Sequence, residues 1–270
     1  MELKQQAIEI LRRNDRGGYT VPTASGLYPA QWNWDSCLVA LGLAQFDEPR
    51  AVAEIETLFS GQWPDGMVPH ILFHGDDSSY FPNAAVWQAG PTGRSSGITQ
   101  PLVAATVVRH LFERTADRVI RARLTALVPK LLVSHRWCYA ARDPYGTGLV
   151  SIIHPWESGM DNSPVWDDAL AAVEPGPSVA HLRRDTGFAA NEHRPTGPEY
   201  NRYINLVINS AITATAPTAC MRFRRSELPT SASMPSCSGQ IRICNCCSPL
   251  SAMPPAPGKS QQWKKGRATP

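Results

Sequence analysis

The sequence has no run of 18 consecutive apolar residues, so a helix that crosses a membrane is not expected. Its opening stretch, MELKQQAIEILRRND, lacks the apolar segment of a secretory signal and has the pattern of an amphipathic helix. The presence of 8 Trp, 7 Tyr and 7 Phe excludes a collagen-like or wholly disordered chain. The length of 270 residues predicts one large domain or two small ones around a packed core.

Acidic residues are nearly missing from the last part of the chain. Residues 208–270 hold eight Lys and Arg against one acid, Glu227, whereas residues 1–207 carry a net charge of −4. Aromatic residues follow the same division, since only Phe223 and Trp263 fall after residue 207. The formal net charge of +3 is therefore an average over two unlike parts, a main part of residues 1–207 and a tail of residues 208–270.

Strand-like alternation is scarce in the main part, and helical spacing recurs instead. A first helix carries Leu3, Ala7 and Leu11 on its apolar face. Asp35 precedes an almost wholly apolar segment, so it is expected to cap a buried second helix. A third helix after Pro49 should have a buried stripe and a wet side, with Val52, Ile55, Leu58 and Phe59 in the stripe and Glu54 and Glu56 opposite.

The same order repeats after a long loop. Residues 99–101 are expected to start a mostly covered helix, and the next helix, about 117–137, should bury one face. Further helix starts are expected at Pro164 and Pro198. Helices that are apolar on most sides alternate with helices that are apolar on one face only. We therefore predict an all-α fold, roughly the first half of an (α/α)6 toroid. The alternative is an ordinary helical bundle. Bundles usually have connections of only about 2–8 residues, and the loops here are longer. The apolar face of the 117–137 helix comprises Ile120, Leu124, Leu127, Val128 and Leu131.

Three long loops, residues 28–35, 61–87 and 154–168, interleave tryptophans with carboxylates. An indole face packs against the C–H face of a pyranose, and carboxylates and amides accept its hydroxyl protons. Glycoside cleavage also needs two carboxyl groups beside the scissile bond. The loops therefore indicate a carbohydrate site, although buried tryptophans with partnered acids are also common in protein cores.

Four segments of these loops and their surroundings resemble glycoside hydrolase family 63, in the same order along the chain. They are Tyr-Pro-Ala-Gln-Trp-Asn-Trp-Asp-Ser from residue 28, Gly-Met-Val-Pro-His from residue 66, Ser-Gly-Ile-Thr-Gln-Pro from residue 96, and Trp-Glu-Ser-Gly-Met-Asp-Asn-Ser-Pro-Val-Trp from residue 156. Within the family the main part looks closest to the bacterial glucosylglycerate and mannosylglycerate hydrolases, and the tail does not match. The resemblance implies hydrolysis of an α-glycosidic bond with inversion, on a small substrate such as glucosylglycerate or mannosylglycerate.

The resemblance implies that Asp161 is the general acid. Such an acid must be protonated at the working pH, so apolar neighbours or nearby negative charge should raise its pKa. Trp156, Met160 and Glu157 are the local candidates for that environment. The alternative is that Asp161 only caps the helix that starts near Pro164.

Further substrate contacts are implied on the other loops. Asp35 takes the place of a carboxylate that holds sugar hydroxyls, a role compatible with capping a helix. His70 and Gln100 look like polar contacts, although a lone histidine is more often a hydrogen-bonded loop residue. Neither a metal nor another cofactor is predicted. The predicted substrate-binding residues are Tyr28, Trp32, Asp35, His70, Gln100, Trp156 and Glu157.

An inverting enzyme also needs a carboxylate base on the opposite face of the sugar. The resemblance places this base, a glutamate, in the second half of the toroid, and the only acid of the tail is Glu227. Glu157, Asp167 and Asp168 lie too near Asp161 in sequence to be obvious opposite-face partners. A truncated, non-catalytic carbohydrate-binding or scaffold fragment is therefore the alternative to an active glycosidase. The expected partner is a small carbohydrate, with no nucleic acid and no membrane, and two cysteines in the main part favour a cytoplasmic location.

The tail has eight prolines, no aspartate and no sustained periodicity, and it is expected to be irregular. A zinc site is one interpretation, but Cys237, Cys244, Cys246 and Cys247 lack the paired spacing of structural sites. Contact of the basic terminus with a polyanion is another. The favoured interpretation is a shifted reading frame near residue 208, because acids and aromatics vanish while Cys, Pro, Ser and Arg increase.

Overall fold

The computed structural model describes residues 2–143, 145–187, 194–214 and 242–243, and these residues are mostly helical. Two-residue strands accompany the helices: β1 (Gln31–Trp32) pairs antiparallel with β2 (Ile71–Leu72), and β3 (Val150–Ser151) pairs with β4 (Arg242–Ile243). The other tail residues beyond Ala214, including the four cysteines of the zinc interpretation, lie outside the described residues. The helices are α1 (Leu3–Asn14), α2 (Asn33–Leu43), α3 (Glu48–Ser60), α4 (Ala84–Trp87), α5 (Ala104–Arg114), α6 (Arg118–Arg142), α7 (Asp167–Ala171) and α8 (Gly197–Ala214).

The main core lies between α2, α3, α5 and α6. Helix α2 packs against α3 and α5, and α6 packs against the same two helices. Asp47 caps α3 by accepting a hydrogen bond from the Arg50 N–H at 3.0 Å, and Asp117 caps α6. The apolar stripes predicted for these helices mostly face this core, whose fully buried members include Ala40, Val52, Ile55, Leu58, Phe59 and Leu124.

The prediction of a wet position for Glu54 is wrong. Its side chain is fully buried and accepts hydrogen bonds from Ser36 Oγ at 2.6 Å, Gln31 Nε2 at 3.0 Å and Thr20 Oγ1 at 2.9 Å. Arg50, one turn earlier on α3, forms an ion pair with it at 2.8 Å. A buried carboxylate needs such partners to offset its lost hydration. Glu54 thus ties α3 to the loop that precedes α2.

Several apolar side chains expected inside are exposed. Leu3 on α1 and Leu38 on α2 are 83% and 54% exposed, so α2 is not covered all round. Val128 is 52% exposed, whereas the other four members of the predicted α6 face are buried. Exposed apolar residues of this kind do not disturb the core, because its stripes are complete without them.

Some helix boundaries also differ from the predictions. Asp35 does not cap α2: the helix begins at Asn33, which places Asp35 within its first turn. Residues 99–101 are not helical, because Thr99 is held by tertiary partners, donating its N–H to Glu157 and its hydroxyl to the Val68 carbonyl. Helix α8 begins within a residue of the predicted start and continues to Ala214, past residue 207. Among the described residues, no helix has both the length and the apolarity needed to span a bilayer.

Candidate active site

Pairing of β1 with β2 brings the first two aromatic loops side by side, with Trp32 opposite Ile71. Trp32 contacts Tyr28 at 5.2 Å and His70 at 6.2 Å between ring centroids. His70 in turn lies 6.3 Å from Trp156 of the third loop. Four of the predicted substrate-binding residues therefore form one continuous aromatic cluster, although they come from three separate loops. Trp32 and His70 are its buried members, and Tyr28 and Trp156 are partly exposed.

Asp161, the predicted acid, lies near this cluster and is exposed to solvent. Protein atoms crowd its carboxyl group from the other sides, and this desolvation raises its pKa to about 6. The positive charge of Arg194 acts against that rise, and the negative charge of Asp35 adds to it. Asp35 is half-buried, and burial raises its own pKa as well. The two carboxyl groups are thus within electrostatic reach of each other.

The alternative capping role of Asp161 is wrong. The short 3-10 helix at Pro164–Trp166 is capped by Ser163, whose hydroxyl accepts from the Val165 N–H. Two features define the turn before Asp161. Trp166 Nε1 donates a hydrogen bond to the Met160 carbonyl at 2.8 Å, and Gly159 adopts a left-handed φ of +69°. Asp161 is therefore free of the local backbone role that its sequence position suggested.

Glu157 and Gln100 hold the loops together. The buried Glu157 carboxylate accepts from the backbone N–H groups of Thr99 and Ile153 and forms an ion pair with Arg142 at 3.0 Å. The Gln100 side-chain oxygen accepts from the Trp34 N–H at 3.1 Å, next to Asp35. Protein donors therefore engage both Glu157 oxygens and the Gln100 oxygen.

His70 is 5% exposed, and its Nδ1 atom has no hydrogen-bond partner within the described residues. Burial, together with the neighbouring His154, lowers the pKa of His70 to about 3. The ring is consequently neutral at any pH near neutrality, and it can offer one donor and one acceptor. An unsatisfied buried polar atom is costly, so this nitrogen suits a polar contact to a bound ligand.

Arg194 and Tyr80 belong to the same surroundings but were missed in the sequence. Arg194 Nε forms an ion pair with Asp185 at 2.8 Å, and the guanidinium also hydrogen-bonds the Tyr28 side chain. Tyr80 packs edge-on against Trp32 at 5.6 Å. Neither residue stands in a recognisable motif, and only folding brings them to the Tyr28–Trp32 loop. Four further tryptophans were expected to pack in the interior, and three of them, Trp87, Trp137 and Trp166, are buried. The fourth, Trp63, is only partly buried, and its Nε1 donates to Ser95 Oγ at 3.1 Å.

Comparisons with known proteins identify the family to which this chain belongs. A family model described as the mannosylglycerate hydrolase MGH1-like glycoside hydrolase domain matches residues 28–234. The mannosylglycerate hydrolase MGH2 of Selaginella moellendorffii is 54% identical over 211 residues, 76% of this chain and 43% of that protein. The glucosylglycerate hydrolase of Mycolicibacterium hassiacum is 41% identical over 220 residues, 76% of this chain and 49% of that protein.

A solved structure gives the same match. The family 63 mannosylglycerate hydrolase of Thermus thermophilus, in complex with Tris and D-glycerate, superposes with a TM-score of 0.72 and 52% sequence identity. The match covers 76% of this chain and 49% of that chain. The chain therefore spans about half the length of the relatives that it matches.

Proposed function

Since the chain belongs to the family of mannosylglycerate hydrolase MGH1-like glycoside hydrolases, we propose that it carries the acid side of a site that hydrolyses α-glycosides of glycerate with inversion. Asp161 protonates the oxygen that leaves with the glycerate. Tyr28, Trp32, Asp35, His70 and Trp156 bind the sugar. The substrates proposed are mannosylglycerate and glucosylglycerate, the compounds in the names of the matched relatives.

The observation that carries the proposal is the environment of Asp161. A general acid works best when its pKa lies near the operating pH, and crowding by the protein raises the pKa of Asp161 to about 6. The carboxyl group is thereby protonated in a useful fraction of molecules while it is still open to solvent. The aromatic cluster beside it includes the partly exposed rings of Tyr28 and Trp156, which are of the kind that packs against a pyranose.

The positive charge of Arg194 near Asp161 favours a substrate whose leaving group carries a carboxylate. Arg194 reaches Tyr28 and lowers the pKa of Asp161 through its charge, which places its guanidinium in the same neighbourhood. Guanidinium groups bind carboxylates through charge-assisted hydrogen bonds. Arg194 shares its charge with Asp185, and one ion pair leaves other N–H donors of the guanidinium for the glycerate carboxylate.

Glu157 and Gln100 enter the proposal in a different way from the sugar-binding residues. Their oxygens already accept hydrogen bonds from the protein, so we assign them to holding the loops that carry Asp35 and Asp161. The Gln100 amide nitrogen still leaves a donor for a sugar hydroxyl.

In this proposal the second carboxylate, the general base, lies in the part of the family's domain that the matched range does not include. An inverting site separates its two carboxyl groups by about 6.5–9.5 Å, with water between the base and the sugar. The relatives are about twice as long as the matched range, and a partial (α/α)6 toroid would leave the base outside it. The division at residue 207, the shifted reading frame and the cytoplasmic location stay predictions, which the coding DNA and fractionation of cells would test.

The test is release of glycerate from mannosylglycerate and from glucosylglycerate by the full chain, with binding followed by calorimetry. Asp161→Asn is the control, because it removes the proton donor and keeps the shape of the side chain. Binding of both glycerate glycosides by the wild type supports the substrate side of the proposal. Any release of glycerate that falls by a factor of about 100 or more in Asp161→Asn supports Asp161 as the acid. Arg194→Gln should weaken binding of both glycerate glycosides much more than binding of the neutral methyl mannoside, whose ring meets Arg194 only through Tyr28.

Binding without release by the wild type would contradict hydrolysis by this chain and favour the carbohydrate-binding fragment. Equal release by the wild type and Asp161→Asn would remove Asp161 from the role of acid. Equal weakening of charged and neutral glycosides in Arg194→Gln would contradict its assignment to the glycerate carboxylate.

A further inference from the structure

Helix α8 contacts the acid-bearing loop, residues 154–163, at two points through one residue. The Tyr203 hydroxyl donates a hydrogen bond to the Asp161 carbonyl at 2.7 Å. The Tyr203 carbonyl lies 3.1 Å from His154 Nε2. Tyr203 and His154 are each 2% exposed, so both bonds lie in the protein interior.

The hydrogen bonds of His154 determine its tautomer. Its Nδ1 atom accepts from the Trp156 N–H at 3.1 Å and caps the 3-10 helix at Pro155–Ser158. An accepting Nδ1 carries no proton, so the proton of the neutral ring sits on Nε2, which donates to the Tyr203 carbonyl. Burial lowers the pKa of His154 to about 4, so the ring keeps this form near neutral pH.

Tyr203 is likewise held in its donor form, because burial raises its pKa. Hydrogen bonds thus attach the acid-bearing loop to α8 at His154, near its start, and at Asp161, the proposed acid. Both attachments end on the same turn of α8. The ring of Trp156, midway along the loop, also contacts Tyr203, at 5.8 Å between centroids.

We propose that His154 and Tyr203 are positioning residues that fasten the acid-bearing loop to α8 and so fix the place of the Asp161 carboxyl group. This inference rests on the proposed role of Asp161 as the acid. Neither residue touches the substrate; both act through the backbone that carries Asp161. A backbone carbonyl held by a buried hydroxyl limits the movement of the side chain on the same residue.

The environment of Asp161 depends on that placement. The titratable and charged groups that interact with it come from four elements: Asp35 on α2, Tyr80 before α4, Arg194 before α8 and Tyr203 on α8. Release of the loop would move the carboxyl group towards water, and desolvation would then raise its pKa less. The pKa of Asp161 consequently reports on the position of the acid-bearing loop whether or not the chain catalyses hydrolysis.

The experiment titrates the full chain labelled with ¹³C in its aspartate carboxyl groups and assigns Asp161 by its absence in Asp161→Asn. Tyr203→Phe removes the hydroxyl and keeps the ring. His154→Asn keeps an acceptor for the Trp156 N–H, but its shorter side chain does not reach the Tyr203 carbonyl. Asn205→Leu is the matched control, because it removes a hydrogen bond from α8 to the Glu174 carbonyl in another loop.

We expect the pKa of Asp161 to fall by about one unit towards the ordinary aspartate value in Tyr203→Phe and His154→Asn, and to stay unchanged in Asn205→Leu. If glycerate is released, kcat should fall about tenfold with KM changed less than about twofold, since one hydrogen bond is lost. An unchanged Asp161 pKa in both folded variants overturns the inference. Absence of release by the wild type contradicts the proposed function alone, because the titration still decides the positioning role.

Discussion

Asp35 and Asp161 lie within electrostatic reach of each other across the candidate site, although they belong to α2 and to the acid-bearing loop. Crowding by the protein, and after it the negative charge of Asp35, raises the pKa of Asp161 to about 6. Two carboxyl groups that share a site resist simultaneous ionisation. The charge of Asp35 therefore helps to keep the Asp161 carboxyl group protonated.

Asp35→Asn should lower the pKa of Asp161, because it removes a like charge without opening the site to water. The measurement is the ¹³C titration of Asp161, and Glu9→Gln on the exposed side of α1 is the control. In an active sample, the pH at which protonation of Asp161 limits the rate should move to lower values. A pKa that stays at the wild-type value would contradict the electrostatic link between these two residues.

Gly159→Ala should displace the acid-bearing loop. A Cβ atom at this position would lie 2.4 Å from the Trp34 ring, and the backbone φ of +69° is strained for alanine. Gly93→Ala is a matched control, because Gly93 has a φ of +67° and no neighbour within 4 Å of the added atom. Both variants carry a strain of about 1–2 kcal/mol, which thermal unfolding measures.

Only Gly159→Ala should also weaken binding of glycerate glycosides, because only it moves Trp34 and the loop. Equal binding by the two glycine variants would show that the contact between Gly159 and Trp34 does not set the site.

Glu157→Gln should destabilise the fold strongly. It leaves the buried Arg142 without the charge of its partner, and removing one member of a buried ion pair costs about 3–5 kcal/mol. Glu113→Gln tests the same chemistry in an exposed pair with Arg109, and it should leave the unfolding midpoint unchanged. Urea denaturation compares the two variants, and similar midpoints would contradict the structural importance of the buried pair.

Stability should fall as the pH drops below about 6.5. Burial lowers the pKa of His70 to about 3 and that of His154 to about 4, whereas the ordinary value is 6.5. The unfolded chain therefore binds more protons below pH 6.5, and the stability present above that pH is lost on acidification. Each histidine contributes a loss of about 2 kcal/mol between pH 6.5 and pH 5.

Denaturation at several pH values measures the slope of the unfolding free energy against pH. His70→Phe should reduce it, and His110→Gln on the exposed side of α5 should leave it unchanged. An identical slope in the wild type and His70→Phe would exclude His70 as a buried neutral group.

The sequence by itself determined the helical character, the three aromatic loops and the motif around Asp161. Each of these is encoded locally: apolar periodicity marks a buried stripe, and the motif from Trp156 to Trp166 is a continuous stretch of residues. The family resemblance rests on the same continuous stretches, and the comparisons confirm it.

Only the tertiary structure decided which charged groups are inside and what they contact. Glu54 has the local pattern of a surface residue but is buried, because Arg50, Gln31 and Ser36 meet it there. Arg194 reaches Tyr28, and Tyr203 reaches Asp161, across long stretches of chain. Such partners leave no periodic trace, since burial of a polar group depends on a hydrogen-bond partner that folding supplies from elsewhere.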